Sequence, residues 1–353
     1  MPRCTIVSFR FGLTDGVSVV SRNWAVVLRR LGFDVSWVAG AFESGWEAGD
    51  PTHLVAGLGI DDPMPPDVAA LTGALAHADL VIVENLCSIP LNLPAARAVT
   101  GVLRGRPAIL HHHDPPWQRQ RFEHITELPP DDPAWLHVTV NDLTRREMAD
   151  RGIEATTVYN GFDPDPPTGD RAGTRRRLGL DDDTLLVAHP VRAIRRKAIS
   201  RAVGIAEALG GTYWLLGPAE DGYGPTLAGE LAAATCPVIH APVGTRGDIY
   251  AAADLIVFPS TWEGFGNPPV EAALYRRPVV VGDYPVATEL RGLGFRWFTH
   301  DDLDPVASWL GGHDQARRDR LLDYNRDVAV RQLSLERMAR RLESLLDGAG
   351  WLP

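Results

Sequence analysis

Short apolar runs recur along this chain, separated by polar, glycine-bearing turns and longer amphipathic stretches. Thr5–Phe9, Asp34–Val38, Leu80–Val83, Ala108–Leu110 and His137–Val140 read as strands in the first half. Leu185–His189, Tyr213–Leu216, Val238–His240, Leu255–Phe258 and Val279–Val281 continue the series in the second. Apolar runs joined by helix-length connections predict strands buried in parallel sheets. A first helix is predicted from about Val17 to Leu31, stopping at Gly32 as helices commonly do. The composition shifts after Asn160-Gly161 into the Pro-rich, charged segment 164–170, which places a domain boundary near 163–170. The chain therefore reads as an α/β protein of two Rossmann-like parallel-sheet domains. A charged, amphipathic helical region from about Arg317 to Leu346 closes it.

The most informative unit runs from Leu255 to Val281: strand, polar loop, helix, strand. Asn267 is placed to cap the helix, and Pro268 and Pro269 suit its first turn, where backbone N–H groups have no partner inside the helix. The loop lies at the carboxyl end of a strand, where open α/β sheets bind ligands. It carries Glu263, and Glu271 follows on the first turn. An acid near a helix start is often there for the dipole alone. Paired beside Gly264 and Gly266, which uncover backbone N–H groups, the two acids suit a ligand with both hydroxyls and phosphates, such as a nucleotide sugar.

Composition narrows the classes. With 353 residues, 45% of them apolar, two ordinary cores are within reach. A formal net charge of −10 argues against nucleic acid as a partner. The three cysteines, Cys4, Cys87 and Cys236, read as buried thiols of a reducing compartment. The absence of an evident N-terminal signal or of a bilayer-spanning apolar stretch predicts a soluble, cytoplasmic chain.

Several stretches carry candidate chemistry. The first β–α loop has Gly12 and Gly16 but no G-x-G-x-x-G, so dinucleotide binding at this end is not expected. The strand at Ala108–Leu110 runs into His111-His112-His113-Asp114, which invites a metal reading. Adjacent residues on an extended segment point to opposite faces, so only His111 and His113 could share an ion without a turn. After Leu185–His189 comes a basic run containing Arg192, Arg195, Arg196 and Lys197. Arg195 and Arg196 read as a solvated face. Asp181-Asp182-Asp183 reads as loop, not as a metal motif.

The stretch from Glu263 to Glu271, with Gly264, Phe265, Gly266 and Asn267 between, resembles the E-x7-E signature of retaining glycosyltransferases of the GT4 type, which have the GT-B fold. That resemblance implies two Rossmann-like domains facing across a cleft. Residues 1–163 would form the acceptor domain, 164–334 the donor domain, and 335–353 a helix returning to the first domain. It implies that Arg192 and Lys197 clasp the donor diphosphate in place of a metal, so that no cofactor is needed. Glu263 would contact the sugar hydroxyls and Glu271 the ribose, while His113, followed by Asp114, would face the transferred sugar. Gly16, within Asp15–Ser18, matches the glycine that lets the backbone approach donor or acceptor, although a plain turn glycine remains an alternative. The loop at 240–243 would hold the base. Arg276-Arg277 and Asp283-Tyr284-Pro285 depart from the family pattern and leave the acceptor open. Cations fixed on the diphosphate would stabilise the charge that the leaving nucleotide gains. The expected reaction is metal-independent transfer of a hexosyl unit from a nucleoside-diphosphate sugar to an acceptor hydroxyl, with hinge closure on donor binding. A sugar phosphorylase, a non-catalytic sugar-nucleotide binder and a metal-dependent hydrolase built on His111–Asp114 stand as alternatives.

Overall fold

The computed structural model describes every residue except 13–15, 45, 47–48, 61 and 243. Asp15 of the first turn and Val243 of the 240–243 loop thus lie outside the described residues. The chain divides into two compact units: residues 1–161 with 335–353, and residues 162–334.

Unit 1 runs β1 (Arg3–Phe11), α1 (Gly16–Arg30), β2 (Asp34–Phe42), β3 (Thr52–Leu54), α2 (Val68–Leu75), β4 (Leu80–Glu84), α3 (Leu93–Leu103), β5 (Ala108–His112), β6 (Trp135–Thr139), α4 (Asp142–Ala149) and β7 (Ala155–Thr157). Its sheet has the order β3-β2-β1-β4-β5-β6-β7, parallel throughout. Unit 2 runs α5 (Arg171–Arg177), β8 (Leu186–His189), α6 (Ile199–Ala208), β9 (Thr212–Leu215), α7 (Gly224–Ala232), β10 (Val238–His240), α8 (Arg246–Ala252), β11 (Leu255–Phe258), α9 (Asn267–Leu274), β12 (Val279–Val281), α10 (Pro285–Gly292), β13 (Phe298–Thr299), α11 (Asp304–Gly311) and α12 (Gln315–Leu333). Its parallel sheet, β10-β9-β8-β11-β12-β13, repeats the same doubly wound logic. In both sheets the order reverses beside the first strand, which makes the β1/β4 and β8/β11 carboxyl ends the switch points where such folds take ligands.

The central strands of both sheets are buried on both faces, as continuous apolar strands require. One face of the unit 1 sheet is covered by α1 and by α13 (Leu335–Gly348), whose Met338, Leu342 and Leu346 share a core with Trp24, Leu28 and Trp37. The other face packs Leu71, Leu75, Val99 and Leu103 of α2 and α3. The helical region expected over Arg317–Leu346 consists of α12 and α13, with Ser334 extended between them at ψ 155. Short β3, β7 and β13 escaped the sequence reading, because strands of two or three residues carry too little apolar pattern. Cys4 and Cys87 are buried but Cys236 is half-buried, a correction to the expectation of three buried thiols.

Two buried polar devices tie these strands together. In unit 1, Ser88 Oγ meets His112 Nδ1 at 2.9 Å, His112 Nε2 meets His137 Nδ1 at 2.9 Å, and His137 Nε2 meets Asp131 at 3.1 Å. Burial, first of all, holds both imidazoles below the usual histidine range, so they are neutral near pH 7. In unit 2, Arg175 is fully buried and donates to the carbonyls of Ala252 at 3.0 Å and Asp181 at 2.8 Å, and to Asp254 at 3.2 Å. The carbonyls of the Asp181–Asp183 loop thus serve a structural arginine.

Two outcomes follow. Below about pH 6.5 an unfolded chain protonates histidines that the folded chain keeps neutral. The unfolded state then binds more protons, so stability falls as pH falls. Urea midpoints should be lower at pH 5.5 than at pH 7.5, and equal midpoints would contradict the neutral His112–His137 pair. Arg175→Ala takes the buried donor from the carbonyls of Asp181, Asp182 and Thr184, and should cost on the order of 3 kcal/mol of stability in urea titration.

Candidate active site

Unit 2 builds its site at the carboxyl ends of β8 and β11. After β8 the chain makes a single tight turn at Arg195–Lys197 and enters α6 through Ala198, whose φ of 52° is left-handed. The loop after β11 is tied to this turn by the Thr261 N–H, which donates to the Arg196 carbonyl at 2.9 Å. The pairing brings two cations onto one carboxylate. Lys197 Nζ lies 2.5 Å from Glu263 Oε1, and Arg196 pairs with Oε2 while donating to the Trp262 carbonyl at 3.1 Å. Lys197 also sits over the Phe258 ring at 4.7 Å from its centroid.

Burial alone would raise the Glu263 carboxyl, but Arg196 and Lys197 outweigh it and hold Glu263 ionised, below the usual carboxylate range. The same burial pushes the Lys197 ammonium below its ordinary range, with Glu263 opposing. Arg196 is therefore part of the site and not a solvated residue: a backbone tie, invisible to spacing, turns it inward. Arg192 donates to Glu220 at 2.6 Å. The two cations expected to act together are thus held by different carboxylates.

The loop then passes Phe265, which is buried with its ring 6.3 Å from Phe162, and reaches Gly266 at φ 102°. A Cβ on Gly266 would stand 2.3 Å from the Tyr284 hydroxyl, so both backbone sign and space demand glycine. Tyr284, one of the departures from the family pattern, is fully buried at this contact. Asn267 is the first residue of α9 and not its cap; Gly266 occupies the cap position, with no side-chain cap bond. Glu271, buried further along α9, accepts from the Tyr250 hydroxyl at 2.7 Å and pairs with Arg246 at 3.0 Å. Both partners come from α8. Burial and the Glu271 charge push the Tyr250 phenol well up, so it stays a donor.

Unit 1 has its own cluster at the ends of β4 and β5. Glu84 Oε2 receives His111 Nδ1 and His113 Nε2, each at 2.9 Å, and Glu84 and His111 are wholly buried. Desolvation would raise the Glu84 carboxyl, yet the two histidines hold it well below the usual range. An ionised carboxylate only accepts, so both ring nitrogens facing it must carry protons. Asn85, at φ 57°, accepts the backbone N–H groups of His113 and Asp114, both at 3.1 Å. His111 lies tilted against Trp24, with centroids 4.3 Å apart. Asp114 does not join the histidines but pairs with Arg119, and His112 faces away toward Ser88 and His137.

Glu84, His111 and His113 are a group whose ligand atoms, all within 4.8 Å of one another, could hold a metal ion. That set replaces the His111–Asp114 grouping suggested by sequence adjacency. Gly16 opens α1 in an exposed position; a Cβ there meets nothing within 4 Å and its φ is not left-handed, so packing does not account for the glycine. Sequence reading missed Glu84, Arg196, Arg246 and Tyr250 as site residues. For Arg196 the signal was its place beside Lys197; the others are brought in by sheet pairing and helix packing.

Residues 222–296 match the family model described as glycosyl transferases group 1. The chain is 25% identical over 421 residues to mannosylglucosylglycerate synthase of Thermotoga maritima, covering 95% of this chain and 97% of that protein. D-inositol 3-phosphate glycosyltransferase of Mycobacteroides abscessus is 36% identical over 160 residues, 42% of this chain and 36% of its own length. Among solved structures, HepE of Anabaena in complex with UDP and glucose superposes with a TM-score of 0.77 at 17% identity, over 99% of this chain and 100% of that one. Sucrose-phosphate synthase of Thermosynechococcus elongatus gives a TM-score of 0.76 at 15% identity, covering 99% of each chain. The fold is GT-B, and the chain is a glycosyltransferase that resembles the GT4 type.

Proposed function

We propose that this enzyme moves a hexosyl unit from a nucleoside-diphosphate sugar to an acceptor hydroxyl, with retention and without a metal. The observation that carries the reading is the Lys197–Glu263–Arg196 cluster at the β8/β11 switch point. In this reading Lys197 and Arg196, with Arg192 nearby on the same loop, receive the diphosphate. Glu263, released from part of its pairing, accepts from sugar hydroxyls. Glu271, held by Tyr250 and Arg246, takes the ribose. Gly264, Gly266 and Asn267, where the loop enters α9, are assigned to the donor side of the same site. His113 is assigned to the acceptor side of unit 1, its ring fixed by Glu84.

Chemistry follows from charge. The leaving diphosphate gains negative charge as the glycosidic bond breaks, and preplaced cations stabilise that charge without reorganising. The same phosphate can take the acceptor proton on the face it leaves, which keeps the anomeric configuration and needs no nucleophilic side chain. HepE was solved with UDP and glucose, and the Thermotoga maritima relative is named for a mannosylated product, which supports a nucleoside-diphosphate hexose as the donor class. No helix among the described residues is long and apolar enough to cross a membrane.

Lys197→Ala should weaken nucleoside-diphosphate binding by about 1.5–3 kcal/mol, the worth of a hydrogen bond to a charged group. Calorimetry with UDP and GDP reads this directly, and unchanged affinity for whichever nucleotide binds would remove Lys197 from the site. Turnover of a donor identified from a panel of UDP-, GDP-, ADP- and dTDP-hexoses should persist in EDTA. Loss of activity on chelation, restored by one divalent ion, would instead favour an ion on Glu84, His111 and His113. Proton NMR of the product should give the donor's anomeric configuration, and an inverted product would contradict the same-face mechanism.

A further inference from the structure

A cavity of about 340 Å³ opens in unit 2 at the C-terminal end of α9, against α11 and α12. This volume falls in the range of small-molecule sites, about 300–1,000 Å³. Arg276, Arg277 and Arg318 line it, together with Asp254 and Asp319. Both carboxylates are already engaged by other groups. Asp254 is taken by Arg171 at 2.6 Å, by Arg175 at 3.2 Å and by the Leu186 N–H at 2.8 Å. Asp319 pairs with Arg276 at 3.4 Å and accepts from Gln315 at 3.1 Å, while Arg276 also reaches Asp323 at 2.8 Å.

Arg277 and Arg318 are left in a different state. Among the described residues neither pairs with a carboxylate. Arg277 donates to the Ala251 carbonyl at 3.2 Å, Arg318 reaches only the Gly312 carbonyl at 3.5 Å, and the Nε of each is buried without an acceptor. Burial and the neighbouring Arg171 depress the Arg277 guanidinium below its ordinary range, with Asp254 offsetting only part. The remaining wall is apolar and aromatic. Arg318 lies over the Trp309 ring at 4.7 Å, and Pro278, Leu310 and Leu322 complete the lining.

We propose that this cavity binds a small phosphate ester, its phosphoryl group between Arg277 and Arg318 and its carbon body against Trp309 and Leu322. Two guanidiniums without carboxylate partners match a phosphoryl dianion in charge, and their planar forks match its oxygens. Bare phosphate would leave the Trp309–Leu322 wall uncovered, so the ester is the better fit. The site is separate from the donor loop. α9 has eight residues, a rise of about 12 Å. Glu263, Gly266 and Asn267 stand at its start, and the cavity stands at its end. A ligand there would press on the same helix that presents the donor loop, which makes it an effector site by position.

Isothermal titration of the full chain tests this, with glucose 1-phosphate, inorganic phosphate and free glucose as probes. Wild type and Lys197→Ala should bind glucose 1-phosphate alike. Arg318→Ala, which removes a cation, and Leu322→Trp, which fills the cavity, should each weaken it by about tenfold or more, the scale of one charge-assisted hydrogen bond. Circular dichroism confirms that each variant is folded, and two variants acting by different means guard against a single misfolded one. Inorganic phosphate should bind at least about tenfold more weakly than the ester, and glucose not detectably. The proposal fails if wild type shows no binding at millimolar ester or if Arg318→Ala and Leu322→Trp bind as wild type does. It also fails if Lys197→Ala abolishes binding, which would place the ester in the donor site. Phosphate binding as tightly as the ester would overturn the ester assignment.

Discussion

A carboxylate cannot stay ionised inside a protein unless cations or donors replace the water it loses. Glu263 is buried in the loop after β11, and the site in unit 2 is arranged around meeting that requirement. Lys197 and Arg196 meet it, but only because the tight turn at Arg195–Lys197 and the loop at Thr261 are joined by a backbone hydrogen bond. The same ion cluster therefore fixes the loop geometry and stores positive charge where an anionic ligand can use it. Gly266 extends the constraint, since its left-handed backbone lets the chain pass over Tyr284 and start α9 at once.

Unit 1 solves the same problem with different partners. Glu84 is wholly buried and is balanced by two imidazoles in place of a lysine and an arginine. Because an ionised carboxylate offers no proton, it dictates which nitrogen of His113 carries one. A residue at the end of β4 thus sets the tautomer of a residue beyond the end of β5. His112, between the two, turns to the opposite face and belongs to the Ser88–His137–Asp131 chain instead. Alternation along one extended segment separates a structural histidine from two site histidines.

Much of this was legible in the sequence. Continuous apolar strands with helix-length connections led to two parallel α/β sheets, and the Glu263–Glu271 stretch led to the glycosyltransferase resemblance. Periodicity could not see strands as short as β13, because two residues carry too little local pattern. Side-chain partners were the least legible. Arg196 was read as solvated since a basic run usually is, and only the Thr261 tie turns it onto Glu263. Arg192 was paired with Lys197 by the family resemblance, and its partner Glu220 could not be read from the sequence. Asn267 looked like a helix cap because its residue type suits that position; the left-handed Gly266 moved the helix start by one residue.

The account stands on Lys197 as a buried cation that exchanges part of its contact with Glu263 for a diphosphate. Lysine side-chain NMR on protein labelled at the ε-nitrogen reads this directly, with Lys197 assigned by its replacement. In the free enzyme Lys197 should titrate below the ordinary lysine range, since burial outweighs Glu263 there. Saturating nucleoside diphosphate should move that titration upward, because a second anion favours the charged form. A Lys197 resonance that titrates identically with and without nucleotide, while other resonances report full binding, would contradict the account.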